Sequence, residues 1–322
     1  MSGLTYFVSG ASAPADIRGL ARVSVPFGIS LPELSAPALD VLCSFAFMPL
    51  LRVFVDSGAF SEVDRTGKVV HPITDAAWVE RVRVMHRIAA TFGPAAPAGD
   101  HGPRVWVVSP DRVGDQAETL RRMAMHADAL RGMRALGARV IVPIQRGSLR
   151  AADFDAACTD ALGFKDYVRG IPGNKAAMPE DELATFLRAR RPRAVHLLGI
   201  GPRSASYRPL RDVMDRMIPE AEVSCDSNAL AASVGHTNGR GGGPRPLTAW
   251  QEHFAGRPSG VCEPPADPPR DNPRELAVLM AFGPQHFFAR FVEEHGHLIG
   301  MKPVVPALQR GLFDAARDVE GL

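Results

Sequence analysis

Residues 53–61 read V-F-V-D-S-G-A-F-S. Three apolar residues with strand character run straight into Asp56, a small-residue bend at Ser57-Gly58-Ala59, and a second aromatic, Phe60. A V-F-V strand needs both faces covered, as in a parallel sheet wrapped by helices, so its last residue emerges at a rim where loops gather. An acid placed there is either a cap of the following turn or a working group.

The same pattern recurs along the chain. Short β-branched or aromatic runs appear at YFVS (6–9), VWVVS (105–109), VIVPIQ (140–145), DYVRG (166–170), VHLLGIG (195–201) and EVSCD (222–226), each followed by a helix-like segment. That alternation marks βα units on a parallel sheet. Amphipathic stretches lie at 75–92 behind the cap candidate Thr74, and at 113–136, 151–162, 179–190 and 204–217. Pro179 followed by Glu180, Asp181 and Glu182 starts a helix with its acids on the positive end of the dipole. Asp56, Ser109-Pro110-Asp111, Gln145, Gly170, Gly199 and Asp226 all fall at or just past strand C-termini, which is the catalytic face of a (β/α)8 barrel. The fold class read from this is α/β, a (β/α)8 TIM barrel with C-terminal helical additions. Seven strands are visible and the eighth is not, which keeps a doubly wound sheet as the alternative.

A chain of 322 residues holds one large α/β domain. The expected division is 1–235 for the main part of the barrel with its rim, 236–273 for a Gly/Pro-rich loop region, and 274–322 for C-terminal helices that pack on or complete the barrel. The loop region contains HTNGRGGGPRP (236–246) and GRPSGVCEPPADPPRDNP (256–273), neither of which can join a sheet. A net charge of +2 announces no polyanion partner globally, so any nucleic-acid surface has to be local. Cys43, Cys158, Cys225 and Cys262 form no CxxC pair, which argues for reduced thiols in a cytoplasmic compartment. The N-terminus has no targeting pattern, and the most apolar stretch, 41–55, is broken by Pro49 and Arg52, so no membrane association is expected.

Two carboxylates on opposite parts of one rim, Asp56 and Asp226, with another acid and an amide between them, suit covalent exchange at an anomeric carbon: one acid attacks and the other moves protons. Each residue also has a plain structural role open to it. Asp56 and Asp226 can cap the turns that follow them, Asp111 can pair with Arg112, Phe60 can be a core aromatic, and His196 can be a satisfied core or supporting histidine.

The order and spelling of these pieces resemble the guanine transglycosylases, the tRNA-guanine transglycosylases and their DNA-modifying relatives. DSGAFS (56–61) is similar to that family's D-S-G-G-F-Q turn, VPIQRGS (142–148) to its glycine-flanked glutamine, DYVRGIPG (166–173) to its mid-barrel glycine turn, LLGIG (197–201) to its L-x-G-x-G strand, and EVSCDSN (222–228) to its late D-x-x-D strand end. The resemblance implies Asp226 as nucleophile and Asp56 as general acid/base. It implies a base pocket of Asp111, Gln145 and the backbone at Gly170, with Ser57, Gly58 and Phe60 beside it. Arg203, Arg208, Arg211, Arg240 and Arg245 become the expected nucleic-acid contacts, with solvated surface arginines as their plain reading.

The family's zinc spelling is missing, since that region offers only Cys262 among scattered histidines, so no metal and no cofactor is expected. A stripped barrel of this kind resembles the DNA-guanine transglycosylases of phages and bacterial genomic islands. The implied activity is a pentosyltransferase exchanging guanine in DNA for a 7-deazaguanine such as preQ0, with tRNA as the alternative substrate. The base would have to leave the helix stack to react. A base-releasing glycosidase and a catalytically silent nucleic-acid-binding barrel are further alternatives. Homodimers are common in that family, although the sequence carries no interface signal.

Overall fold

The structure is a computed structural model that describes residues 4–64, 67–93, 102–173, 178–202, 204–230, 274, 275 and 278. Eight strands close into one barrel in chain order. They are β1 (Thr5–Ser9), β2 (Phe27–Ser30), β3 (Val53–Asp56), β4 (Val105–Val108), β5 (Arg139–Pro143), β6 (Val168–Pro172), β7 (Ala194–Leu198) and β8 (Glu222–Ser227). All neighbours pair in parallel, and β8 closes on β1 with Phe7 beside Asp226. Helices α1 (Pro14–Arg22), α2 (Ala36–Ser44), α3 (Asp75–Phe92), α4 (Gln116–Met125), α5 (Ala127–Ala135), α6 (Ala151–Leu162), α7 (Glu180–Arg190) and α8 (Tyr207–Met217) fill the crossovers. The (β/α)8 barrel read from the sequence is the fold of the chain, and the doubly wound alternative falls away.

The strand missing from the sequence reading is β2. Its four residues, F-G-I-S, carry one β-branched side chain and a glycine, too little to stand out. Gly28 is there for a packing reason: a Cβ at this position would collide with the Ser9 hydroxyl and the Phe54 ring. The expected single helix over 113–136 is two helices, broken at His126, whose backbone leaves helical geometry (φ −109°, ψ 12°). Thr74 caps α3 as expected, its side chain accepting from the Ala77 N–H at 3.2 Å.

Period-two alternation divides the core into two compartments. Phe7, Phe54, Trp106, Val108, Ile141 and Val168 form one apolar cluster that fills the lumen. Their strand neighbours Val8, Val53, Val55, Val107, Val140 and Val142 belong to a larger cluster shared with the surrounding helices. In the lumen the Phe7 ring meets Trp106 edge-on at 5.0 Å, a favoured aromatic geometry.

Beyond residue 230 the described residues are Arg274, Glu275 and Val278, and they lie against α1. Arg274 pairs with Asp16 at 2.6 Å, Arg18 and Arg22 pair with Glu275 at 2.9 and 3.1 Å, and a Cβ on Gly19 would press on Val278. The rest of the expected loop region 236–273 and of the C-terminal helices 274–322 lies outside the described residues. Among the described residues, no helix is long and apolar enough to cross a membrane.

Gly28→Ala is expected to cost about 1–3 kcal/mol, because the barrel wall has no slack for an added methyl. In a body of this size that is a fall of roughly 2–4 °C in Tm per kcal/mol, measured by thermal melting. An unchanged Tm would mean that Ser9 and Phe54 yield freely.

Candidate active site at the barrel rim

Strand ends determine which side chains meet. Asp226 on β8 lies close to Ser9 on β1 and to the turn after β7. Its Oδ2 accepts from the Ser9 hydroxyl at 3.0 Å, and its Oδ1 accepts from the Gly199 N–H at 2.7 Å. The Nε2 atom of His196 stands 3.3 Å from the same Oδ1. An ionised carboxyl is an acceptor at both oxygens and can take all three contacts.

Asp56 ends β3. Its Oδ1 accepts from the Gly58 N–H at 3.2 Å, and the Ser30 side chain at the end of β2 also hydrogen-bonds it. Burial pushes its carboxyl up to about 6; the Gly58 and Ser30 hydrogen bonds offset part of that rise, and the negative charge of Asp226 adds to it. Asp111, three residues past β4, is buried and accepts from the Ser57 hydroxyl at 3.2 Å. Burial and then the charge of Asp56 push it up to about 7. The three acids that the sequence placed at the rim therefore do gather there: the charge of Asp226 raises Asp56, and the charge of Asp56 raises Asp111.

Other expected residues have different work. Gln145 is buried and its amide is spent on the chain: Oε1 accepts from the Gly114 N–H at 2.7 Å, and Nε2 donates to the Arg112 carbonyl at 3.0 Å and lies 3.2 Å from the Thr119 hydroxyl. It braces the loop that carries Asp111. Gly170 sits within β6, in register with Pro143 and His196. Phe60 follows β3 on a short 3-10 turn and is 66% exposed. Ser57 is buried against Asp111, and its carbonyl accepts from Arg81 at 2.9 Å. Arg208 is exposed on α8, where Arg211 pairs with Asp215 at 2.9 Å. Arg203, Arg240 and Arg245 lie outside the described residues, as does Cys262. Among the described residues, no group of three His, Cys, Asp or Glu side chains could hold a metal ion, and Cys43, Cys158 and Cys225 are unpaired thiols.

Sequence reasoning missed the bracket under the rim. Glu62, fully buried, receives Arg122 at 2.7 Å and Arg112 at 3.2 Å, while its Oε1 accepts from the Ile73 N–H at 2.6 Å. Burial alone would raise the Glu62 carboxyl, but the two guanidinium hydrogen bonds outweigh it and hold the group below its ordinary range. Arg122 also donates to the Asp111 carbonyl at 2.6 Å and lies over the Trp78 ring at 5.0 Å. The only sequence trace of this is an acid, Glu62, three residues into an apolar turn.

A comparison of the buried acids separates structural from candidate catalytic groups. Asp16, Glu62, Asp155 and Glu275 each form an ion pair with at least one arginine. Among the described residues the remaining two buried acids, Asp111 and Asp226, form none, and neither does Asp56. The arginine-paired acids hold elements together, whereas the rim acids are left to serine hydroxyls, backbone N–H groups and a histidine.

No family model matches the chain, and no curated protein matches it. Among solved structures the chain is similar to a fructose-1,6-biphosphate aldolase candidate from Coccidioides immitis, at 10% identity and a TM-score of 0.41 over 93% of this chain and 94% of that one. It is similar to the N-acetylneuraminate lyase of Proteus mirabilis at 11% identity and a TM-score of 0.40 over 100% of this chain and 98% of that one.

These findings correct the family expectation: no family model and no curated protein supports a guanine transglycosylase, and the two solved structures named above are described as an aldolase and a lyase. The reading as a pentosyltransferase that exchanges guanine for a 7-deazaguanine in DNA or tRNA is withdrawn. The physical reason lies in what the matched motifs encode. DSGAF and LLGIG owe their glycines to left-handed backbone at Gly58 (φ 75°) and Gly199 (φ 69°), where a strand must turn sharply at the rim. Gly10 meets the same demand after β1, so such motifs report architecture before chemistry. At 10% and 11% identity with low TM-scores, the two solved structures carry no reaction to this chain either.

Asp111→Asn tests the electrostatics directly. The folded carboxyl has a higher pKa than the unfolded one, so the contribution of Asp111 to stability falls as pH rises from about 4 to about 7 and stays low above that. Asparagine keeps the acceptor for Ser57 and carries no charge. The variant should therefore be more stable than wild type at pH 8, by on the order of 2–4 kcal/mol, and equal to it at pH 4. Urea unfolding at the two pH values measures this; equal stability at both would mean that Asp111 is well solvated.

Proposed function

We propose that the chain is an enzyme that moves a proton on a small, hydrogen-bond-donating substrate at the C-terminal rim of the barrel. Asp56 is the general acid/base. Asp226 is the fixed carboxylate that faces positive charge on the substrate, and Asp111 is a further acceptor beneath the rim. The observation that carries this reading is the set of three rim carboxyls without arginine partners, where the other buried acids among the described residues all have them. An unperturbed aspartate is a poor base at neutral pH; one pushed up to about 6 is suited to taking and returning a proton there.

Charge selects the substrate class. The guanidiniums of Arg112 and Arg122 are paired with Glu62 and Glu118, and Arg81, which donates to the Ser57 carbonyl, offsets part of the burden on Asp56, so acid charge at the rim exceeds the guanidinium charge left to balance it. Amines, amidines and neutral amides or polyols are attracted to it, whereas phosphates and carboxylates are repelled. A cytoplasmic setting is part of the reading, supported by the unpaired thiols of Cys43, Cys158 and Cys225.

Ligand-detected NMR with three sets of small metabolites, cationic, neutral and anionic, is the test. Binding at pH 7.5 is expected for the first two sets and roughly 10–100-fold weaker in Asp226→Asn, the worth of a charge-assisted hydrogen bond. In D2O the bound ligand should exchange a hydrogen with solvent at a rate that rises as pH passes about 6. Asp56→Asn should slow that exchange by about 10²–10⁴ while leaving binding in place. Preferential binding of the anionic set, or exchange unaffected in Asp56→Asn, would sink the proposal.

A further inference from the structure

His196 has no role in the reaction as stated above, yet it is fully buried on the lumen side of β7 and touches three parts of the site. Its Nε2 is 3.3 Å from Asp226 Oδ1 and its Nδ1 is 2.9 Å from the Ser224 hydroxyl, two residues before Asp226 on β8. Its ring lies flat on Phe54, with centroids 4.8 Å apart and planes 12° apart, and Phe54 stands two residues before Asp56 on β3. A histidine set beside the apolar lumen cluster of Phe7, Phe54, Trp106, Val108, Ile141 and Val168 needs partners for both ring nitrogens, and the partners it has are Asp226 and the residue two before it on the same strand.

Resting on the acid–base reading above, we propose that His196 is a positioning residue that fixes the orientation of the Asp226 carboxylate relative to Asp56. The hydrogen-bonding inventory gives this a definite form. An ionised Asp226 can only accept, so Nε2 carries the hydrogen and donates it to Oδ1, and Nδ1 at 2.9 Å accepts from the Ser224 hydroxyl in preference to that hydroxyl's other acceptor, the Val195 carbonyl at 3.4 Å. The Gly199 N–H reaches the same Oδ1, and Ser9 holds Oδ2. With donors on both oxygens, the carboxylate has no freedom to rotate about its Cβ–Cγ bond. The stack on Phe54 sets the height of the imidazole above the lumen, and so ties the strand of one acid to the strand of the other. A displacement of about 1 Å at a reacting group is enough to cost roughly 100-fold in rate, so a residue that removes this freedom acts on turnover more than on affinity.

Two measurements on the full chain test this. Long-range 1H–15N correlation NMR, with the resonance assigned by its loss in His196→Phe, reads which ring nitrogen carries the hydrogen. Hydrogen on Nε2 with a bare Nδ1 is expected, and that preference should weaken in Asp226→Asn. Hydrogen on Nδ1 with a bare Nε2 facing Asp226 would overturn the proposal.

The second measurement uses the solvent-exchange assay on whichever probe from the metabolite sets binds. His196→Phe keeps the flat contact with Phe54 but loses the donor. Exchange should fall roughly 10–100-fold with affinity for the probe changed less than about twofold, and His196→Gln, whose amide nitrogen reaches the Nε2 position, should recover most of it. Unaltered exchange in His196→Phe, or equal loss in His196→Gln, would show a packing role only. If His196→Phe does not fold, the tautomer of the wild-type chain and the His196→Gln rate decide. If the wild-type chain exchanges no ligand hydrogen at all, the acid–base reading fails, and the tautomer still reports on His196 by itself.

Discussion

A carboxyl group taken out of water must find donors or keep its proton, and the distribution of those two outcomes organises this molecule. Asp155 is met by Arg169, Arg190 and the Tyr167 hydroxyl; Glu62 by two arginines; Asp16 and Glu275 by arginines across the contact with α1. Each such group joins elements distant in sequence. Breaking one partner of a buried pair of this type leaves an uncompensated charge at a cost of about 3–5 kcal/mol, which is why the pairs report on structure. The rim acids are supplied with serine hydroxyls and backbone N–H groups instead. Neutral donors of that kind orient a carboxyl without cancelling its charge, so the charge remains able to act on something outside the protein.

The bracket under the rim shows how the two classes depend on each other. Arg122 is buried with Glu62 on one side and the Trp78 ring on another, and from that position it donates to the carbonyl of Asp111. Gln145 holds the same loop from the β5 side through Gly114 and Arg112. The Asp111 backbone is therefore clamped from two elements while its side chain meets the Ser57 hydroxyl. Rigid support of this kind is what a preorganised site requires, since an acid that drifts loses both its altered proton affinity and its aim.

The sequence made the architecture readable because a closed parallel barrel repeats one demand eight times. VFVD, VWVV and VIVP carry enough β-branched side chains to be seen as strands covered on both faces, and the acids at their ends follow from where strands emerge. FGIS escaped notice since its glycine is dictated by Ser9 and Phe54, residues on other strands. The same limit governs the site. Asp56, Asp111 and Asp226 could be named from their positions, whereas the donors to Asp226 come from Ser9, 217 residues earlier, and from Gly199. Gln145 looked like a ligand-facing amide because its strand-end position said so; the loop that consumes its hydrogen bonds lies 29–33 residues before it and has no local signal. Two of the five motifs that resembled a known family, DSGAFS and LLGIG, are turn requirements, and the others lie at the ends of barrel strands, which is how a resemblance of architecture came to be read as one of chemistry.

The proton inventory of the rim follows from proximity. Three carboxyls near one another cannot all ionise without mutual cost, and the fold distributes that cost unevenly. Asp226 takes the donors. Asp56 and Asp111, with fewer, are pushed up to about 6 and about 7, each in part by the charge of a neighbouring acid. Near neutral pH the rim therefore holds both a carboxylate and a carboxylic acid, an acceptor and a donor for protons, in one enclosure. Loading a basic substrate shifts this balance further, because a positive charge beside Asp226 relieves the repulsion on Asp56 and eases the loss of its proton. Substrate binding and readiness for proton transfer are then coupled by Coulomb interaction alone, with no movement of the chain required.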